Sequence, residues 1–204
     1  MKAFSSTNHI LFISIFISSI FSISSSEQKP YQDANIQFIR TSCNSTTYPR
    51  LCFASLSKHA AFIQTDRVLL TGTALNVTLK AVKATSAMMS ALSKSYGGSM
   101  KPREAAAMKD CVEELRDSVD ELRKSIGEMS QLGGSSNFEL TKNDVQTWVS
   151  AALTDESTCT DGFEEVHNNG TLKNTVRSRI LQVAHLTSNA LAFINQLAAS
   201  SSHA

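Results

Sequence analysis

The feature that most constrains how this chain folds is an apolar spacing in steps of three and four, which recurs in four long segments. Such spacing places apolar side chains along one stripe of an α-helix, and that stripe packs lengthwise against other helices. In chain order the stripes are Val68, Leu75, Leu79, Val82 and Met89; Val112, Leu115, Val119, Leu122, Ile126 and Met129; Val145, Trp148, Val149, Ala152, Cys159, Phe163 and Val166; and Val176, Ile180, Val183, Thr187, Ala190, Ile194 and Leu197.

These segments predict an all-α fold, an antiparallel four-helix up-and-down bundle. The links between them are short and polar, and short links oblige neighbouring helices to run in opposite directions. Asp66 or Thr65 is expected to cap the first long helix, Pro102 to open the second, and Thr141 to begin the third with a capping box. No sustained period-two run favours a strand outside the first 26 residues.

A short helical hairpin is predicted ahead of the bundle. Residues 33–42 place Ile36 and Ile39 on one side of a first helix, and a second helix is expected from Pro49 to about Ala61. The segment between them contains a Tyr-Pro step, which favours a turn.

The N-terminus has the composition of a secretory signal peptide. An apolar run from Ile10 to Ile23, interrupted by serines, is too short to cross a bilayer, and it is followed by three further serines. We therefore expect residues 1–26 to be a signal peptide and residues 27–204 to form one exported domain. Removing Lys2 with the signal leaves 18 basic and 18 acidic residues. This balance gives no indication of a nucleic-acid or membrane partner.

Four cysteines downstream of the signal predict two disulfides in an oxidising compartment, with three possible connectivities. Their spacing favours a local bridge between Cys43 and Cys52 and a long one between Cys111 and Cys159. A metal site is the alternative, but there is no C-x-x-C pair and the histidines are scattered. Three N-glycosylation acceptor triplets agree with export, and they begin at Asn44, Asn76 and Asn169.

An acidic stripe accompanies the second apolar stripe on the opposite side of the same helix. Glu113, Asp117 and Asp120 are spaced i, i+4, i+7, which is either a solvated helix face or a surface for a partner. The chain has no nucleophile motif, phosphate-binding glycine loop or spaced His/Asp/Ser set, so we expect that it is not an enzyme. A rigid bundle suits protein binding, and a small-ligand carrier with an internal cavity is another possibility.

Four blocks of sequence resemble the plant invertase and pectin methylesterase inhibitor family. They are Thr47-Tyr-Pro-Arg-Leu-Cys52 with Ser55-Leu56, Asp110-Cys111 with the following ELRDSVDEL run, WVSAALTDESTCTDGF at 148–163, and Ser188-Asn-Ala-Leu-Ala192. The resemblance implies a hairpin followed by a four-helix bundle, with disulfides joining the first cysteine to the second and the third to the fourth. It further implies a secreted protein of the apoplast or cell wall, without a cofactor.

The resemblance also implies a target and a binding surface. A monomer would cover the active-site cleft of a cell-wall carbohydrate enzyme in a one-to-one complex. The positions matching the family's enzyme-facing residues are Glu113, Asp117, Asp120, Asp155, Thr158 and Asp161. Many invertase inhibitors carry Pro-Lys-Phe before the third long helix, whereas this chain has Phe138 without Pro-Lys. Pectin methylesterase is therefore the expected partner, acid invertase is the alternative, and a free-standing inhibitor is expected rather than a truncated enzyme.

Overall fold

The computed structural model describes residues 31–131, 138–164 and 171–201, and the regular structure of these ranges is helical, without a β-strand. Helix α1 covers residues 31–44. The later helices are α2 (Pro49–Leu56), α3 (Ala60–Ile63) after a 3-10 turn at Ser57–His59, α4 (Arg67–Tyr96), α5 (Pro102–Met129), α6 (Phe138–Glu164) and α7 (Thr171–Ser201). The predicted signal peptide and Asn169 lie outside the described residues.

Helices α4 to α7 form a ring in which each packs against the next and α7 returns to α4. The direction of α5 and α6 follows from two contacts between them. Cys111 is bonded to Cys159, whereas Lys124, further along α5, lies over the ring of Trp148, which comes earlier in α6. The two helices therefore run antiparallel, and the predicted up-and-down bundle is confirmed.

The apolar stripes of the four helices meet in a buried core. Its largest fully buried side chains include Met89, Met108, Leu115, Leu122, Phe163, Ile180 and Phe193. A small-ligand carrier would need an internal cavity of about 300 Å³ or more at this place. Among the described residues this place is occupied by the buried side chains of the apolar core.

The N-terminal hairpin is attached to α7 through Tyr48, the residue before α2. The side chain of Asn189 accepts a hydrogen bond from the Tyr48 backbone N–H at 3.0 Å and donates one to its carbonyl at 3.1 Å. The Tyr48 ring also stacks on His185, with ring centroids 3.6 Å apart. One residue of the turn is thus held by two side chains of the bundle, which fixes the hairpin against it.

The four cysteines form two disulfides. Cys43–Cys52 closes the hairpin across nine positions, and Cys111–Cys159 ties α5 to α6 across 48 positions. This is the connectivity that the spacing favours. The second bridge joins two helices that approach each other to a Cα–Cα distance of 4.4 Å at this point.

Three details differ from the sequence prediction. The second hairpin helix, expected from Pro49 to about Ala61, is divided by the 3-10 turn at Ser57–His59. Helix α6 already begins at Phe138, so Thr141 lies buried inside the helix and is not its cap. Val68, expected in the apolar stripe of α4, is 39% exposed. Helix α5 ends at Met129, and Val68 lines an open groove beside that end.

Asp66, one of the two expected caps, begins α4. Its Oδ1 accepts hydrogen bonds from the backbone N–H groups of Val68 at 2.7 Å and Leu69 at 2.9 Å. Pro102 occupies the first turn of α5, where a missing N–H costs nothing. None of the helices in the described ranges has the length and apolar character needed to cross a membrane.

Candidate functional site: the outer face of helices α5 and α6

The candidate site is the outer face shared by α5 and α6, which is rich in carboxylates. Antiparallel packing brings the middle of α5, around Asp117, next to Asp155 in the middle of α6. The Cys111–Cys159 disulfide fixes one end of this face, and Lys124 over Trp148, at 4.3 Å from the ring centroid, lies at the other. The two long helices therefore present a single surface, whose two ends are each held by a contact between α5 and α6.

The structure places five of the six predicted interface residues on this face. Glu113 and Asp117 are exposed on α5, and Thr158 and Asp161 are exposed on α6 on either side of Cys159. Asp155 is partly buried between the helices. Because these side chains come from helices that the disulfide holds together, their relative positions are set by the core and not by a loop.

Asp120 is the exception, since it lies at the border with α4. It forms an ion pair with Arg123 at 2.5 Å and lines a shallow groove between α4 and α5 together with Lys83 and Arg116. Both members of the ion pair are more than half exposed, so the pair contributes little to stability. The predicted acidic stripe thus divides, with Asp117 toward α6 and Asp120 among basic residues toward α4.

Three carboxyl groups between α5 and α6 form a cluster of Glu114, Glu121 and Asp155. Burial raises the pKa of all three, and the negative charges nearby add to the rise. For Asp155 burial and the adjoining Glu121 carboxyl raise the pKa to about 7. One oxygen each of Glu121 and Asp155 is buried without an N–H or O–H donor in the described structure. The raised pKa of Asp155 favours its protonated form at mildly acidic pH, which provides an O–H donor within this cluster.

Beneath this face lies Glu156, a fully buried carboxyl in the core of the bundle. Its Oε1 accepts hydrogen bonds from Ser118 of α5 and Thr187 of α7, each at 2.9 Å. Its Oε2 is buried without a partner in the described residues. Burial raises the pKa of Glu156 to about 7, although the two hydroxyl groups oppose the rise. The carboxyl is therefore neutral at mildly acidic pH.

Sequence reasoning missed Glu114, Glu121 and Glu156, although one of them carried a signal. Glu156 falls in the stripe of α6, four residues after Ala152 and three before Cys159, which is the spacing of a core position. A glutamate at such a position predicts hydrogen-bond partners on facing helices. Glu114 and Glu121 lie next to the apolar stripe of α5. The spacing of that stripe does not show which neighbouring helix packs beside them.

The outer face of α5 and α6 offers a partner mainly hydrogen-bond acceptors. In ranges 31–131, 138–164 and 171–201 no group of three His, Cys, Asp or Glu side chains could hold a metal ion. His185 stacks on Tyr48, and burial lowers its pKa. The carboxylates of the outer face are mostly solvent-exposed acceptors, which can receive hydrogen bonds from a partner's basic or polar groups.

Comparison with known proteins assigns this chain to a family. Residues 37–193 match the family model of the plant invertase/pectin methylesterase inhibitor. The chain belongs to this family. The resemblance carried by the four sequence blocks is thereby confirmed.

This chain aligns with several relatives over most of their length. It is 42% identical to pectinesterase inhibitor 11 of Arabidopsis thaliana over 93% of this chain and 96% of the relative. It is 44% identical to the 21 kDa protein of Daucus carota, over 82% and 86% respectively. A crystal structure of a mutant form of a pectin methylesterase inhibitor from Arabidopsis aligns with a TM-score of 0.60 at 21% identity, covering 75% of this chain and 92% of that one. The structural likeness shows the helical fold, and relatives named as inhibitors agree with the expectation that this chain is not an enzyme.

Proposed function

We propose that this protein inhibits a plant pectin methylesterase by laying the outer face of α5 and α6 across the enzyme's active-site cleft in a one-to-one complex. The observation that carries the proposal is the surface itself. Two antiparallel helices, joined by the Cys111–Cys159 disulfide, present Glu113, Asp117, Thr158 and Asp161 to solvent without a loop. A preorganised surface binds with a smaller loss of conformational entropy than a mobile one.

Three further points support the proposal. Relatives named as pectinesterase inhibitors align over nearly the whole chain. The apolar N-terminal run and the two disulfides fit export to the apoplast, with residues 27–204 as the inhibitor domain. The acidic face also complements a basic or polar cleft rim, and such complementarity increases association rate and specificity.

The direct test is a titration of the purified protein against a plant pectin methylesterase at mildly acidic pH. The rate of pectin demethylesterification is expected to fall to a plateau reached at one inhibitor per enzyme. The same titration against an acid invertase, with sucrose as substrate, tests the other target that the family description names. Undiminished esterase rates at any excess, together with loss of sucrose hydrolysis, would assign the chain to invertase instead.

A charge reversal tests the surface. The Glu113→Lys/Asp117→Lys double variant is expected to bind the esterase at least about tenfold more weakly, since like charges placed against an interface cost on the order of 1–3 kcal/mol. Asp33→Lys, which changes an exposed carboxylate of α1, is the matched control and should inhibit like the parent. Far-ultraviolet circular dichroism should be unchanged in both. Equal inhibition by parent and double variant would mean that the stripe is only a solvated helix face.

A further inference from the structure

An apolar groove lies at the opposite end of the molecule from the Cys111–Cys159 bridge. It has a volume of about 1020 Å³ and is formed by α3, the first half of α4 and the end of α5. Three large apolar side chains in it are exposed to solvent, Phe62 at 63%, Val68 at 39% and Leu69 at 37%. All three line the same groove, and Met129, at the end of α5, lines it as well. A contiguous apolar patch of this kind marks a site that something covers.

Asn76, the first residue of an Asn-Val-Thr triplet, lies in the wall of the same groove. Its side chain is exposed, and its Nδ2 donates a hydrogen bond to the carbonyl of Gly72 at 2.8 Å. This bond turns the amide back along α4, over the turn that leads to Val68 and Leu69. A Cβ placed on Gly72 would meet nothing within 4 Å, so the space above this turn is open.

We propose that Asn76 carries an N-linked glycan whose first sugars lie in this groove, over Gly72, and cover Phe62, Val68 and Leu69. In the transfer step Nδ2 loses one proton and bonds to C1 of the first N-acetylglucosamine. The bond between C1 and the oxygen of a lipid-diphosphate donor breaks, and the lipid diphosphate leaves. Nδ2 keeps its second hydrogen, so the hydrogen bond to the Gly72 carbonyl can persist and direct the sugar along the groove.

The chemistry of the groove fits a carbohydrate. The C–H face of a sugar ring packs on an aromatic ring such as Phe62, and its hydroxyl groups remain toward water. Lys58 and Lys80 line the same groove and can donate hydrogen bonds to those hydroxyls. A glycan therefore hides the apolar patch and leaves a polar outer surface, which is the usual physical effect of this modification.

The transfer has to precede folding of α4. The hydroxyl-bearing third residue of the triplet, Thr78, is 1% exposed in the folded helix, so an enzyme can read it only in the unfolded chain. This agrees with modification during export, before the bundle closes. Asn44, the acceptor at the end of α1, is also exposed but does not line the groove, which makes it a matched control.

The experiment uses the full chain secreted from plant cells. Peptide mass spectrometry is expected to find a glycan on Asn76. The fluorescence of the apolar-surface dye 8-anilinonaphthalene-1-sulfonate should then be at least about twofold higher with Asn76→Gln than with the parent. Asn44→Gln should leave the fluorescence at the parent's level, and Asn76→Gln/Phe62→Ser should return it there. Enzymatic removal of N-glycans from the folded parent should raise the fluorescence as the Asn76→Gln variant does.

Two results would overturn the proposal. One is an unmodified Asn76 in the secreted protein. The other is equal dye fluorescence before and after glycan removal, which would leave the groove open to a protein partner. Inhibition of the esterase by Asn76→Gln should stay within about twofold of the parent, because the groove lies away from the acidic face. The glycan and the inhibitory function can therefore fail independently.

Discussion

At the scale of single residues, Glu156 is a carboxyl group in a fully buried position, where its charged form is disfavoured. It is fully buried, and it is held by Ser118 and Thr187 from the two flanking helices. Its folded-state pKa of about 7 exceeds its ordinary value of 4.5, so the folded protein retains a proton that the unfolded chain releases. This contribution to the free energy of unfolding is complete below pH 4.5, declines as the pH rises to 7, and is absent above it.

The Glu156→Gln variant tests this proton. The shift corresponds to about 3 kcal/mol of stability lost by the parent across that pH range. The raised pKa of Asp155 adds a loss of the same sign in parent and variant alike. Glutamine does not titrate and keeps an oxygen acceptor for the two hydroxyls, so its stability should fall much less. Urea unfolding at pH 5 and pH 8 measures the difference. Glu164→Gln, at a side chain 53% exposed, should behave like the parent, and an equal loss in all three proteins would contradict the account.

At the scale of the helices, a hydrogen-bonding side chain, Asp66, caps the N-terminus of α4. Both Asp66 and Thr65 could cap α4 by sequence, and only Asp66 accepts the N–H groups of Val68 and Leu69. Asp66→Ala is therefore expected to lower the free energy of unfolding by about 1 kcal/mol. Thr65→Ala, an exposed neighbour, should change it by less than about 0.5 kcal/mol. Thermal and urea unfolding of both variants decide the point, and the reverse order of effects would assign the cap to Thr65.

The disulfide between α5 and α6 is the second prediction for the helices. It closes a loop of 48 positions, for which the chain-entropy model gives about 4 kcal/mol. The Cys111→Ser/Cys159→Ser double variant should lose stability of that order, more than Cys43→Ser/Cys52→Ser, whose loop spans nine positions. Chemical denaturation without reductant measures both. An unchanged midpoint in the first variant would show that the core alone holds the two helices.

The sequence carried most of the information about helices and little about how they face one another. Leu115, Leu122 and Ile180 were expected in the core from spacing alone and are fully buried. Val68 was expected there too, but it lines an open groove, which the spacing within α4 does not show. Likewise, the stripe on α5 did not show that Asp117 borders α6 whereas Asp120 borders α4. Register between helices is decided by tertiary packing, and the cluster around Asp155 exists only because of it.

For the whole molecule, the central claim is that one braced face of the bundle covers an enzyme. We propose that this face is formed by α5 and α6, whereas the hairpin and the groove beside Asn76 lie elsewhere. Stability and binding are therefore expected to separate. Variants of Glu156 or the disulfides change the free energy of unfolding, and variants of Glu113 and Asp117 change affinity.

Carboxyl footprinting with and without a saturating plant pectin methylesterase tests this claim most directly. A carbodiimide couples an amine label to exposed carboxylates, and mass spectrometry gives the extent at each residue. We predict that the esterase lowers labelling of Glu113, Asp117 and Asp161 severalfold and leaves Asp33 and Asp66 unchanged. Unchanged labelling of the first three, or protection of Asp33 and Asp66 instead, would contradict the account.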